Sequence, residues 1–464
     1  MDIDSCRYAV AESSIEVHRY SLEAVVTLLD PTPRTVTADR VSTLPVVIIG
    51  AGPIGLAAAA NLVERDIDIV IFEAGDQVAA SVRSWGHTRL FSPWKHLVDP
   101  ASRRLLAEHG WEIPAPEAAP TGAELVEQYV APLAELPEIA SRLRLGVEVV
   151  AVTREGMDRT RTRSRAATPF AVRIRSANGD IEDIAARAVI DASGTYRSPN
   201  SLSSNGLELL GMTDIADAVA PALPDVLGRD RERFAGRHTT VVGAGHSAAN
   251  TLLGLAELAL QEPGTTVTWL IRNAQAVRVS SSPDDELADR ARLGSRVDHA
   301  VADGRITVLD GFEIIRARRT GGGVELVGQR RGEVVVHTTD VVVNATGFRP
   351  NLEMLREIRL ELDEIVEAPK RLAPLIDPNV HSCGTVEPHG FRELTHPEQG
   401  FFIVGMKSYG RAPTFLLATG YEQVRSVTAW LAGDTASASN VELVLPSTGV
   451  CSTNLGDGAS SCCS

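Results

Sequence analysis

Apolar and polar positions follow two different rhythms along this chain, and the places where the rhythm changes mark its units. Val46–Ile49 is wholly apolar, a glycine-rich turn follows, residues 53–63 are dominated by alanine and leucine, and residues 69–72 are apolar again. An apolar run, a turn, a helix-length stretch and a second apolar run predict one βαβ unit. The same order returns at Thr239, about 190 residues further on, so the chain repeats a large unit and carries no short tandem repeat. Residues 188–191, opening AVIDASGTY, and 341–346, in VVVNATGF, read as buried strands that end in small-residue turns. Residues 401–406 predict another strand, and 413–432 a helix. Residues 1–44 lack a strong period and contain Pro31-Thr32-Pro33, which predicts a loosely attached extension with one short helix at 21–29. Residues 433–464 are rich in Ser, Ala, Thr and Gly and predict a flexible tail.

Composition narrows the class. A chain of 464 residues exceeds a single core, and 44% apolar with 23% charged residues is the balance of a soluble globular protein. Lys and Arg number 45 against 60 Asp and Glu, giving a formal charge of −15 that repels phosphate backbones and anionic lipid, so neither nucleic acid nor a membrane is an expected partner. No apolar run reaches a membrane span and the start, MDIDSC, is acidic, so a cytoplasmic location is expected. The five cysteines are Cys6, Cys383, Cys451, Cys462 and Cys463; in the cytosol the plain reading of Cys6 and Cys383 is reduced thiols without a disulfide framework.

The chemistry sits in the two repeated units. In VVIIGAGPIGLAAAANLVERDIDIVIFEA, Gly50, Gly52 and Gly55 have G-x-G-x-x-G spacing between strand and helix. Gly50 permits a tight turn, Gly52 lets backbone approach a pyrophosphate, and Gly55 lets helix and strand pack closely, while Pro53 and Ile54 open the helix. The helix N-terminus then presents free N–H groups to phosphate. Glu73, at the end of the second strand, suits ribose hydroxyls and would repel a 2′-phosphate, which selects FAD or NAD over NADP. The second unit, HTTVVGAGHSAANTLLGLAELALQEPGTTVTWLIR, has Gly243 and Gly245, then His246 and Ser247, and Ala248 in the alanine variant of the motif. Its strand ends on Arg272, whose guanidinium can clamp the 2′-phosphate of NADPH; a surface arginine that merely follows a strand is the competing reading.

With Ala192-Ser193-Gly194 after one strand and Ala345-Thr346-Gly347 after another, the chain resembles the flavoproteins with two dinucleotide-binding domains, a superfamily that includes disulfide reductases and class B flavin monooxygenases. The resemblance covers roughly residues 45–431. It implies an α/β fold of two Rossmann-like domains, the NADPH domain inserted into the FAD domain: FAD-binding at 45–234, NADPH-binding at 235–342, FAD-binding again at 343–432. Thr346 and Gly347 join the cofactor-binding residues, and GFFIVGMKSYGRAPTFLLATGYEQV resembles the family's returning strand and helix beside the flavin. The disulfide reductases pass electrons through a cysteine pair. Residues 7–382 hold no cysteine, which excludes an internal dithiol and favours the monooxygenase branch. That branch implies oxygen as co-substrate and transfer from a flavin hydroperoxide to a soft nucleophile, and a homodimer is admitted. RFAGRHTTVVGAG departs from the usual monooxygenase signature, keeping Phe234, Gly236 and His238 but no following aromatic.

The thiol-rich end adds a substrate class. Cys451, Cys462 and Cys463 suit a soft, thiophilic ion such as trivalent arsenic, and mercuric reductase is similar in ending on adjacent cysteines. Incidental cysteines in an unstructured tail are the competing reading. The segments GTVEPHG and TGVCS resemble those of flavin monooxygenases encoded in actinobacterial arsenic-resistance clusters, which implies arsenite or an organoarsenical as substrate. A flavin-dependent metalloid or quinone reductase and a thiol-tail metalloid-binding protein are the alternatives. His381, Cys383, His389 and His396 match no zinc spacing, so no metal is expected and the loop reads as structural or substrate-lining. Trp85, Trp94 and Lys95 follow the first unit and suit either the flavin edge or the core. The sequence singles out no catalytic side chain.

Overall fold

The computed structural model describes residues 41–272, 288–377, 388–412 and 415–443. The expected helix at 21–29, His381, Cys383 and all three tail cysteines lie outside them.

Strand β1 (Val46–Ile49) is buried throughout, which is why it reads as an unbroken apolar run: a parallel strand covered on both faces has no polar side. It leads through the glycine turn into helix α1 (Pro53–Val63), whose first residue needs no N–H, and then into β2 (Ile69–Glu73). Helix α2 (Pro100–Glu108) and the short β3 (Leu143–Leu145) follow. The antiparallel strands β4 (Val147–Arg154), β5 (Phe170–Ser176) and β6 (Ile181–Ala186) come next, and then β7 (Ala188–Asp191). The second unit comprises β8 (Val219–Ala220), β9 (His238–Val242), α3 (His246–Gln261), β10 (Thr266–Leu270), α4 (Ala288–Ala302), β11 (Thr307–Leu309) and β15 (Val341–Asn344). Antiparallel β12 (Phe312–Thr320), β13 (Gly323–Arg330) and β14 (Glu333–Thr339) branch from it. The chain closes with β16 (Phe401–Ile403), α5 (Leu417–Leu431) and α6 (Thr435–Ser439).

The first parallel sheet has the order β16-β7-β1-β2-β3 and the second β11-β10-β9-β15-β8, each accompanied by a three-stranded antiparallel sheet. Strands β8 to β15 all serve the second unit, and β16 then returns to pair with β7, so one Rossmann-like unit is inserted into the other as expected. In both sheets the strand carrying the glycine turn, β1 or β9, lies inside, flanked on its two sides by strands from opposite directions of winding. Crevices at such switch points are where α/β sheets hold nucleotides.

Several boundaries differ from the sequence reading. The crossing expected at residue 235 falls within packing that already belongs to the second unit: β8 is in its sheet and Leu202, Leu209 and Val226 sit in its cores. A two-residue strand carries no period, so nothing in the local pattern announced it. The strand expected at 341–346 stops at Asn344, and the one expected at 401–406 stops at Ile403, because Gly405 (φ +68°) bends the chain into a 3-10 turn, Gly405–Tyr409. The helix expected from 413 begins at Leu417. The tail expected to be flexible from residue 433 starts with α6, capped by Asp434 and held to α5 by the Ser426 hydroxyl, which donates to the Ala438 carbonyl at 2.7 Å. Trp94 is core, Trp85 packs over Gly122, and Lys95 pairs on the surface with Glu117. No helix among the described residues is long and apolar enough to cross a membrane.

Candidate functional site

Gly50 sits at φ +98°, where an added Cβ would lie 2.9 Å from the Ala192 carbonyl oxygen, and its amide donates to Phe72 at 2.7 Å. A Cβ on Gly55 would lie 1.9 Å from the Gly50 carbonyl oxygen, so helix and turn touch backbone to backbone. Around Gly52 the opposite holds: nothing lies within 4 Å of the added carbon, which leaves the turn open on one side. Helix α1 has no side-chain cap, and Pro53 has no amide, so first-turn donors beginning at Ile54 are left for an anion. Glu73 accepts from the Ala51 amide at 2.8 Å and the Gly75 amide at 2.9 Å, closing the turn from below. Each oxygen keeps a lone pair for a ribose hydroxyl.

The second turn repeats this construction. Gly243 (φ +131°) donates its amide to Leu270 at 3.2 Å, and a Cβ there would lie 2.1 Å from the Ala345 carbonyl oxygen. Gly245 again borders open space. His246 begins α3 with its ring 5.5 Å from that of Phe91, a residue of the first unit's loop that also packs on the second core. Ser247 accepts from the Thr251 hydroxyl and Ala248 is fully buried. Trp269 donates its indole N–H to the Gly243 carbonyl at 2.6 Å, a brace the first turn lacks. Arg272 lies exposed beyond β10 and donates one N–H to the Ser204 carbonyl. An exposed fork at the strand end is suitably placed for a phosphate arriving from solvent.

Each turn leans on a small-residue turn from the neighbouring strand. Asp191 Oδ1 accepts from the Ser193 hydroxyl (2.6 Å) and amide (3.1 Å); Asn344 Oδ1 accepts from the Thr346 hydroxyl (2.7 Å) and amide (3.3 Å). Gly347 (φ +93°) follows, its carbonyl accepting from the Asn200 amide. The two arrangements differ in charge, because Asp191 also accepts from the buried Lys407 ammonium at 2.7 Å. That pair, joining residues far apart in the chain, was not singled out in the sequence; the match of AVIDASG with VVVNATG was the available signal. Beside it, Gln423 accepts from the Gly405 amide, donates to Ser408, and lies 2.8 Å from His389 Nε2.

His389 and His396 are both buried. His396 Nδ1 accepts from the Glu361 amide at 3.3 Å, and burial pulls its pKa down to about 4. Glu398 lies between Arg154 and Arg165, tying this loop to the β4–β6 sheet; their hydrogen bonds hold its carboxyl below the usual range against the opposing effect of burial. Among the described residues no three His, Cys, Asp or Glu side chains are placed to hold a metal.

Two parallel sheets, each with a strand-turn-helix cradle open at its middle glycine, define a two-nucleotide oxidoreductase. The chain belongs to the pyridine nucleotide-disulphide oxidoreductase family, whose profile matches residues 47–382. It is an FAD-dependent NAD(P)H oxidoreductase. No curated protein matches the sequence. Among solved structures the fold is similar to the bacillithiol disulfide reductase of Bacillus cereus (TM-score 0.62, 19% identity, covering 84% of this chain and 99% of that one). It is also similar to a flavin monooxygenase from Stenotrophomonas maltophilia (0.54, 23%, 84% and 99%) and an ornithine N-hydroxylase from a Kutzneria species (0.56, 16%, 85% and 98%). The matched residues 47–382 contain no cysteine, so no dithiol there can relay electrons as the family's name suggests.

Proposed function

We propose that this protein is an NADPH-dependent flavin monooxygenase that oxidises a soft nucleophile. The observation that carries the reading is the combination of two nucleotide cradles in one chain with a cysteine-free stretch from residue 7 to residue 382. Bound FAD supplies hydride acceptance and oxygen chemistry. What the chain contributes is binding and orientation. The open side of Gly52 and the uncapped start of α1 fit the flavin's diphosphate, and Glu73 fits its adenosine ribose. Gly245, Ser247 and the start of α3 fit the diphosphate of NADPH, with Arg272 on its 2′-phosphate. Thr346 and Gly347 line the second crevice. Two solved structures of the same fold are a flavin monooxygenase and an ornithine N-hydroxylase, which supports this reading at the level of reaction class.

Cys451, Cys462 and Cys463 point to a trivalent arsenical as the nucleophile, since adjacent thiols hold soft ions and the arsenic lone pair accepts oxygen. The test is NADPH oxidation by the yellow protein with arsenite, methylated arsenicals, amines, sulfides and quinones, following oxygen uptake and peroxide release together. Oxygen uptake that exceeds peroxide release with one substrate class is the expected result. NADPH oxidation that proceeds equally without oxygen would establish a reductase instead. Removing Cys462 and Cys463 is expected to weaken arsenite binding while flavin content stays constant; unchanged binding removes the tail from the reaction.

A further inference from the structure

The chain builds the same supporting turn twice, once with a charge and once without. Asn344 holds Thr346 through its side-chain oxygen in the geometry with which Asp191 holds Ser193. A neutral amide therefore suffices for the turn. The carboxylate at Asp191 has a different partner to answer: Lys407 Nζ lies 2.7 Å from its Oδ2 and 3.1 Å from the Ser193 hydroxyl. Both charged side chains are sealed from solvent, Asp191 at 0% and Lys407 at 1% exposure.

Their position ties them to the first nucleotide site from two directions. Asp191 pairs with Ile49, the residue before Gly50, and the turn after Asp191 is the wall that a Cβ on Gly50 would strike. Lys407 rides on the Gly405–Tyr409 turn, where a Cβ on Gly405 would lie 3.2 Å from the Ile54 side chain at the start of α1. A lone buried carboxylate at the carboxyl end of β7 would repel a diphosphate in the adjoining crevice, and little water is present to screen it.

We propose that Lys407 is a positioning residue of the first nucleotide site: it cancels the Asp191 charge, giving the flavin nucleotide an uncharged wall. This rests on the assignment of FAD to the Gly50 turn. The experiment measures FAD affinity of the apoprotein by quenching of flavin fluorescence, with thermal melting recorded in parallel, for Lys407→Met, Asp191→Asn and the double variant. Lys407→Met is expected to weaken FAD binding by roughly 10- to 100-fold. Asp191→Asn is expected to melt earlier yet bind FAD within about threefold of the parent, and the double variant to return to about that range. Equal, additive losses in both single variants would reduce the pair to ordinary packing and overturn the proposal, as would parent-like binding by Lys407→Met. If Lys407→Met does not fold, Asp191→Asn and the double variant decide, because loss of affinity in either contradicts a purely compensating charge. Gly52→Val separates the two levels of argument: FAD binding that survives it refutes the site assignment, whereas its loss beside an indifferent Lys407→Met refutes only the role of Lys407.

Discussion

In the first nucleotide unit the helix lies so near its strand that no side chain fits at Gly55, where an added carbon would stand 1.9 Å from a backbone oxygen. The second unit accepts a methyl at the equivalent position, Ala248, and compensates with the Trp269 indole, which holds the Gly243 carbonyl. The polar ends differ in the same sense. Glu73 is drawn into its own turn by two backbone amides, whereas Arg272 stands exposed at the edge. The first cradle thus has its helix packed backbone to backbone and its acid held by its own turn, as suits a resident nucleotide. The second admits a methyl between helix and strand and presents its charge outward, as suits one that comes and goes.

The contrast fails first, if it fails, at Gly55. Gly55→Ala is expected to destabilise the protein by more than about 3 kcal/mol and to strip bound flavin, because the new methyl meets main chain that cannot step aside. Denaturant midpoints and flavin-to-protein absorbance ratios measure it. A yellow, stable Gly55→Ala protein would mean that the close contact carries no weight.

Acid should draw stability from the first unit through one buried ring. His396 is held near pKa 4 by burial against an ordinary value of 6.5, so the folded protein refuses a proton that the unfolded chain takes up. Stability is therefore complete above about pH 6.5 and drains as pH falls towards 4, by on the order of 3 kcal/mol from this ring. His396→Gln is expected to flatten that decline in urea midpoints measured from pH 7 to 4.5. His337, in the second unit, is also pulled down to about 4 by burial, yet it is partly exposed and its Nε2 lies 2.7 Å from the Thr240 hydroxyl. The same substitution there should flatten the curve less.

Arg272→Ala probes the outward-facing end. Its NADPH KM is expected to rise about tenfold with the NADH KM unchanged, the loss of roughly one charge-assisted contact to phosphate. Equal changes for both nucleotides would show that Arg272 supports the fold and does not read the 2′-phosphate.

Both cradles were legible in the sequence because the demands they meet are local: left-handed backbone at Gly50 and Gly243, open space at Gly52 and Gly245, and buried strands that must be apolar on every face. The insertion of one unit in the other was implied by the resemblance to flavoproteins with two dinucleotide-binding domains. What escaped was whatever depends on distant partners. Lys407 meets Asp191 across 216 positions and Arg154 meets Glu398 across 244, separations at which no periodicity operates. Strand β8 was too short to leave a rhythm, and α6 was hidden in a Ser- and Ala-rich stretch whose helical order comes from the Asp434 cap and the hydrogen bond to α5.

The smallest effect is expected where the second unit already departs from the first. Ala248→Gly removes a buried methyl from the opening turn of α3 and adds backbone freedom to the unfolded chain, a cost of about 1 kcal/mol. It creates no clash, and the Trp269 indole continues to hold the Gly243 carbonyl, so NADPH binding should change by less than about twofold. If the second cradle's geometry is set by the indole brace, Ala248→Gly leaves the turn where it is. If instead the methyl is what holds helix and strand apart, the glycine variant lets α3 settle onto the turn as α1 does, and NADPH affinity shifts severalfold. A thermal shift and an NADPH titration on this one variant therefore decide which of two residues makes the second unit differ from the first.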